Sequence, residues 1–230
     1  MLWGIGVGPG DPELLTLKAV RLLREVDVIA SLAAAGRDRI ARAIAAPHLP
    51  PGRHELVFAA PMRADLATRS TFFDEVARKL ADQLDAGLNI GFLCLGDPLF
   101  YGSFTSLLLR LGDTYPCAVV PGISAMSAAA ATLRIPLAQG SESLLILPGT
   151  LPDGELLRRL DAAEVAVILK LGQHLPRLRR LLERQGLLGC AWIASELGSE
   201  RERVMRLSSW RHDTAPYMSL LIVRRQSAPP

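Results

Sequence analysis

Apolar residues follow two rhythms along this chain: short unbroken runs, and longer stretches in which they recur every three or four positions. In the first half the runs fall at residues 1–7, 27–30, 55–58, 89–95 and 117–120, and the spaced stripes at 14–25, 37–46, 68–85 and 103–111. Runs without polar alternation predict strands covered on both faces, and stripes of helical period predict the helices that cover them. The result is a βαβ series with a parallel sheet. Pro121-Gly122 breaks the series. Beyond it, residues 123–133 are built from Ala, Ser and Met and predict a tightly packed helix. Strands are predicted at 143–147, 165–169, 190–194, 203–207 and 219–224, with helices at 154–160 and 176–184. The last strands follow one another without a long helix between them, which predicts a mixed sheet. The fold class is therefore α/β, with a mainly parallel amino-terminal sheet over 1–120 and a mixed carboxyl-terminal sheet over 121–230. The tail 226–230 reads as disordered.

Two loops stand out against this pattern. Residues 89–95 read N-I-G-F-L-C-L and then stop in Gly96-Asp97-Pro98, at what should be the carboxyl end of a central strand. Ligands of open α/β sheets bind at such ends, yet Gly-Asp-Pro is equally an ordinary turn sequence, and both readings stand. The first run hands over to Gly8-Pro9-Gly10-Asp11-Pro12 before a helical stripe. Asp11 is placed to cap that helix and Pro12 to occupy its first position. A glycine loop opening a helix suggests a dinucleotide site and, with it, a dinucleotide-dependent oxidoreductase. Against this, Pro9 and Pro12 remove N–H donors. The second strand begins with Asp27 and ends at Ser31-Leu32, so it lacks a terminal acid for a ribose.

Composition narrows the classes. The chain has 230 residues, half of them apolar, which is enough for one large domain or two smaller ones. No apolar run approaches the ~20 residues that span a bilayer, and the first residues read as a strand rather than a signal peptide, so a cytoplasmic protein is expected. Cys94, Cys117 and Cys190 lie far apart in apolar runs, which predicts buried thiols and no metal site. The net charge of +3 would suit nucleic acid or an acidic small molecule. Only 5% of residues are aromatic and no nucleic-acid motif is present, so a nucleic-acid-binding module rests on charge alone. The basic stretch around Arg177, Arg179, Arg180 and Arg184 keeps its leucines at helical spacing and reads as a solvated helix face.

The chain has no G-x-S-x-G elbow, H-E-x-x-H, Walker loop or C-x-x-C. Loops at strand ends remain, and they suit group transfer from an activated cosubstrate, where aligning two reactants supplies much of the acceleration. At this point residues 6–19, G-V-G-P-G-D-P-E-L-L-T-L-K-A, resemble the amino-terminal motif of the tetrapyrrole methylases, which use S-adenosylmethionine. Residues 96–103, G-D-P-L-F-Y-G-S, resemble that family's Gly-Asp-Pro loop, and residues 119–125, V-V-P-G-I-S-A, its domain-crossing segment. The continuation after Gly-Asp-Pro, the pair Pro61-Met62 and Leu147-Pro148-Gly149-Thr150 are most similar to the branch that methylates C20 of precorrin-2.

The resemblance implies a homodimer of two α/β domains with the cosubstrate in the cleft between them. Carried over by motif, the implied S-adenosylmethionine contacts are Pro9, Gly96, Asp97, Pro98, Phe100, Ser124 and Ala125, with Leu171, Gly198 and Ser219 as further positions. It implies methyl transfer to C20 of precorrin-2, giving precorrin-3A on the route to cobalamin and S-adenosylhomocysteine as product. The same carbon of the cobalt-loaded substrate is the alternative. No membrane or nucleic-acid partner is implied. Some base must take the C20 proton; Tyr101 and Asp11 are the two candidates the loops offer, and Asp11 reads equally as a helix cap. Arg37, Arg39 and Arg63 are candidates for binding substrate carboxylates, with solvated surface as the other reading. The sequence departs from the family where Ser31-Leu32 replaces Tyr-Pro and where Leu95 replaces Glu before Gly-Asp-Pro.

Overall fold

The computed structural model describes residues 1–34, 40–61 and 65–225. Arg37, Arg39, Met62, Arg63 and the tail 226–230, which carried expectations above, lie outside the described residues. The chain forms two compact units, Met1–Ser124 and Ala125–Pro230.

In the first unit, β1 (Leu2–Gly6), β2 (Val28–Ala34), β3 (His54–Ala60), β4 (Ile90–Cys94) and β5 (Cys117–Val120) form one sheet in the order β3-β2-β4-β1-β5. All its pairings are parallel. β4 is central and every residue in it is buried, because a central parallel strand has no solvent face. Its side chains alternate between two cores. Phe92 and Cys94 pack with α3 (Leu66–Asp85) and α4 (Phe104–Leu111), while Leu93 packs with α1 (Leu17–Glu25) and α2 (Ile40–Ala45). The predicted α3 stripe of Phe73, Val76, Leu80 and Leu84 is buried, and each such side chain contributes about 1.5–3 kcal/mol.

The register decides where the loops start. Gly6 pairs with Cys94 and Ile5 with Val120, so the loops after β1, β4 and β5 leave the sheet at one level. Neighbouring strands β1 and β4 send their connections to opposite faces, through α1 and α4. That topology opens a crevice at strand carboxyl ends.

The second unit holds β6 (Leu144–Pro148), β7 (Val165–Leu169), β8 (Ala191–Ser195), β9 (Arg203–Arg206) and β10 (Ser219–Arg224), ordered β6-β7-β10-β8-β9. β6 and β7 run parallel and the other pairs antiparallel, as expected of a mixed sheet. α6 (Asp153–Leu160) and α7 (Leu175–Arg184) cover one face, and the small residues of α5 (Ala125–Leu133) pack on the other.

Four expectations need correction. The first helix begins at Leu17 rather than Leu14, because Asp11 caps only a 3-10 turn over Pro12–Leu14; Leu15 is then extended, and the Thr16 side chain caps α1. β2 runs on to Ala34, so Ser31-Leu32 lies inside the strand, paired with Val57-Phe58, and not at its end. Only Cys94 is fully buried, and burial pushes its thiol up to about 12, whereas Cys117 and Cys190 are half-buried at strand edges. Arg177 is not simply solvated: its guanidinium bonds the carbonyls of Gly149 and Leu151 and pairs with Asp153, tying α7 to the turn before α6. Among the described residues no helix is long and apolar enough to cross a membrane.

Candidate active site

The three loops of the first unit meet through backbone. Gly8 and Gly96 exchange hydrogen bonds, Gly96 N–H to Gly8 O at 2.8 Å and Gly8 N–H to Gly96 O at 3.3 Å. This requires Gly8 at φ 78° and Gly96 at φ 67°, where a side chain is strained. Behind them, Gly6, Gly96 and Gly122 pack without intervening side chains. A Cβ on Gly122 would lie 2.0 Å from the Gly96 carbonyl oxygen and 2.9 Å from the Gly6 Cα, and one on Gly6 would lie 2.5 Å from the Gly122 nitrogen. The glycines of the three motifs are thus needed for one close approach.

Asp97 fastens this juncture. Its Oδ1 accepts from Leu99 N–H at 2.9 Å, closing the turn through Pro98, and its Oδ2 accepts from Gly122 N–H at 3.1 Å, in the loop after β5. The carboxylate is therefore engaged by the protein's own backbone. Pro9 and Pro98 are buried, Leu95 is half-buried against the α1 core, and Phe100 is half-buried with its ring edge-on to Tyr101 at 5.1 Å. Gly96 itself keeps open space where a Cβ would stand, its nearest neighbour there being the Ile123 carbonyl oxygen at 4.0 Å. Asp11 caps its turn, accepting from Glu13 N–H at 2.8 Å. Ser124 is half-buried and follows Gly122-Ile123 directly, and Ala125 opens α5.

In the second unit, the remaining positions stand at strand ends. Ser219 opens β10 opposite Ser195, the last residue of β8, and donates its hydroxyl to Ser195 Oγ at 2.8 Å; both are buried. Gly198 lies three residues past Ser195 at φ 71° and donates its N–H to Glu202 at 2.7 Å. Leu171 is two residues past β7, but its side chain is 1% exposed in the core, so anything it offers a ligand must be backbone. Ser219 faces Ser195 across the β8–β10 pair with Gly198 three residues on, and because β7 and β10 are antiparallel neighbours with Ile168 opposite Leu221, the chain leaving β7 toward Leu171 runs at the same end of the sheet as Ser219.

Sequence reasoning missed a feature common to these ends. Tyr101 (φ 53°), Lys170 (φ 59°) and Glu196 (φ 50°) all adopt the left-handed region that side chains avoid. Lys170 and Glu196 are the first residues beyond β7 and β8, and Tyr101 is in the loop after β4. Strain of this kind persists where surrounding structure enforces it, and it concentrates at functional loops. Gly122 and Ser195 were also missed as partners of Asp97 and Ser219. The signal for Gly122 was present in its motif, whereas none marked Ser195.

These loops can offer a ligand backbone donors and acceptors held at fixed spacing, an arrangement suited to aligning reactants. The glycine loop does not make a dinucleotide site, since its backbone is spent on Gly96 and a separate turn intervenes before α1.

Comparison with known proteins agrees. The chain is 40% identical to the cobalamin biosynthesis protein CobIJ of Mycobacterium bovis over 96% of its own length and 45% of that protein's, so it spans about half of that relative. It is 42% identical to a precorrin-2 C(20)-methyltransferase of a Sinorhizobium species, covering 96% of this chain and 94% of that one. With the cobalt-precorrin-2 C(20)-methyltransferase of Salmonella typhimurium it shares 31% identity over 98% and 96% of the two chains. The crystal structure of uroporphyrin-III C-methyltransferase from Thermus thermophilus, complexed with S-adenosyl homocysteine, matches with a TM-score of 0.68 at 25% identity, covering 97% of this chain and 91% of that one. An oxidoreductase finds no support in these likenesses. The sequence profile of the Tetrapyrrole (Corrin/Porphyrin) Methylases matches residues 1–209, a span that takes in all three glycine loops and most of the second sheet, and the chain belongs to that family.

Proposed function

We propose that this chain transfers a methyl group from S-adenosylmethionine to C20 of precorrin-2, yielding precorrin-3A and S-adenosylhomocysteine in cobalamin biosynthesis. The observation that carries the reading is the 42% identity, over nearly both full lengths, with a precorrin-2 C(20)-methyltransferase. Identity with the cobalt-precorrin-2 enzyme is lower, at 31%, which favours the metal-free substrate. The open side of Gly96 fits a cosubstrate lying against the backbone of the first unit's loops; the family's motifs assign Pro9, Gly96, Asp97, Pro98, Phe100, Ser124 and Ala125 as its contacts, with Leu171, Gly198 and Ser219 as further positions. When bound, S-adenosylmethionine supplies a methyl group on a sulfonium. The electron-rich C20 carbon forms the new C–C bond as the C–S bond breaks, and its proton passes to a base. Asp11 is held as a cap, which argues against it as that base. The three unpaired cysteines suit a cytoplasmic protein, and we place it there as a homodimer; sedimentation at the mass of one chain would reject the dimer.

Incubation with methyl-labelled cosubstrate and precorrin-2, with and without cobalt, tests the reading. Label should appear at C20, fastest on the metal-free substrate. Label at another carbon would reject the C20 assignment while leaving the family intact.

Asp97 gives a second expectation. Asp97→Ala leaves the N–H groups of Leu99 and Gly122 without their acceptor, at about 1–3 kcal/mol. Calorimetry with S-adenosylhomocysteine should show binding weakened roughly tenfold to a hundredfold. Asp97→Asn, which keeps one acceptor oxygen, should fall between. Unchanged affinity in the Ala variant would show that this brace does not shape the site.

A further inference from the structure

Four exposed large apolar side chains, Leu14, Leu99, Tyr101 and Ile123, stand on the segments that leave the carboxyl ends of β1, β4 and β5. Those segments touch one another. Gly8 bonds Gly96, a Cβ on Gly8 would lie 3.4 Å from the Leu14 carbonyl oxygen, and the Ile123 carbonyl lies beside Gly96. Single exposed apolar residues need no explanation, but several gathered around one juncture mark a surface that receives something.

Tyr101 is the one held against its backbone preference. It sits at φ 53°, and the following Gly102 shows why: a Cβ there would lie 2.0 Å from the Pro98 carbonyl oxygen and 2.9 Å from that of Asp97, so the loop is wound tightly around this point. Tyr101 is 53% exposed, so burial in the core does not offset the strain. What the conformation achieves is presentation: the ring stands outward, braced by Phe100 at an interplanar angle of 70°. A ring braced at its edge and more than half exposed suits a flat π-system, because aromatic pairs favour offset and edge-to-face contact.

Resting on the reading of the site as a precorrin-2 methylase, we propose that Tyr101 is a substrate-contact residue whose ring meets the tetrapyrrole macrocycle, and that its left-handed backbone serves to present it. The contact is with the macrocycle and not with the cosubstrate. Asn tolerates the left-handed region and carries no ring, so Tyr101→Asn separates presentation from folding. Three readings of each protein are needed: thermal midpoint, calorimetric affinity for S-adenosylhomocysteine, and affinity for precorrin-2 from its absorbance change at saturating S-adenosylhomocysteine. For Tyr101→Asn we expect a midpoint equal to or above wild type, unchanged S-adenosylhomocysteine affinity, and precorrin-2 affinity lower by about tenfold. Tyr101→Phe should bind precorrin-2 as wild type does. Wild-type precorrin-2 affinity in Tyr101→Asn, or a parallel fall in its midpoint and S-adenosylhomocysteine affinity, would overturn the proposal alone. Failure of the wild-type protein to bind precorrin-2 at all would instead overturn the reading on which it rests, and the proposal with it.

Discussion

Replacing Gly122 by Ala is expected to abolish cosubstrate binding. The new Cβ would lie 2.0 Å from the Gly96 carbonyl oxygen and 2.9 Å from the Gly6 Cα, and all of these atoms are backbone, so no side chain can rotate away. The loops after β4 and β5 must move apart, and the bond from Gly122 N–H to Asp97 is lost with them. Overpacking of this kind costs about 1–3 kcal/mol, which a domain of ordinary stability survives. The effect on function should be larger, since a shift of about 1 Å at a site that works by alignment costs about a hundredfold in rate. Circular dichroism should show a folded protein, while calorimetry with S-adenosylhomocysteine shows no heat of binding. Gly52→Ala is the control. Gly52 is also left-handed, at φ 72°, but has nothing within 4 Å, so that variant should lose about 1 kcal/mol to strain and bind normally. Normal binding by Gly122→Ala would mean that the three loops need not meet.

The largest effect on stability is expected in the second unit. Arg224 is 2% exposed on β10, and its guanidinium bonds both Glu142 oxygens, at 2.7 and 2.8 Å, and the Pro136 carbonyl at 3.1 Å. Glu142→Ala removes the counter-charge and leaves a buried cation, which costs about 3–5 kcal/mol. The thermal midpoint should fall by ~10 °C. The double replacement Arg224→Met with Glu142→Leu removes both charges and should cost less than the single one. The reason is already visible in the native protein: Arg224 Nε is buried without a partner, so the pair is not fully satisfied even when intact. A single variant as stable as wild type would show that the loop simply opens to hydrate the arginine.

The sequence made the strands legible where composition and burial coincide. β7 runs over the very residues its apolar run marked, because a buried strand leaves little room for polar residues inside it, and the bounds of the edge strand β5 and of β10, which takes in Ser219 and Arg224, match as well. It misled where a local signal was true but shorter in range than it looked. Asp11 and Pro12 do form a cap and a first-turn proline, yet of a three-residue turn, since nothing local announces that Leu15 turns extended and Thr16 caps anew. The end of β2 was hidden because Ala33 and Ala34 carry neither a strand nor a turn preference strong enough to show.

The site was legible as three motifs, and its working parts were not. Gly6, Gly96 and Gly122 matter through one contact among residues far apart in the chain, and Asp97 through a bond to a residue 25 positions on. The same holds for Ser195 with Ser219 and for Arg224 with Glu142, where the partners are 24 and 82 positions apart. Left-handed backbone at Tyr101, Lys170 and Glu196 had no sequence signal, because Tyr, Lys and Glu are not residues that favour it.

We propose that the glycine loops after β1, β4 and β5 form a seat for S-adenosylmethionine, and the proposed methyl transfer depends on it. Calorimetric titration of the wild-type protein with S-adenosylhomocysteine and, separately, with NAD tests it most directly. The account predicts saturable binding of S-adenosylhomocysteine, lost in Gly122→Ala and retained in Gly52→Ala, and no binding of NAD. Binding of NAD without S-adenosylhomocysteine, or S-adenosylhomocysteine binding equally well in all three proteins, would contradict it.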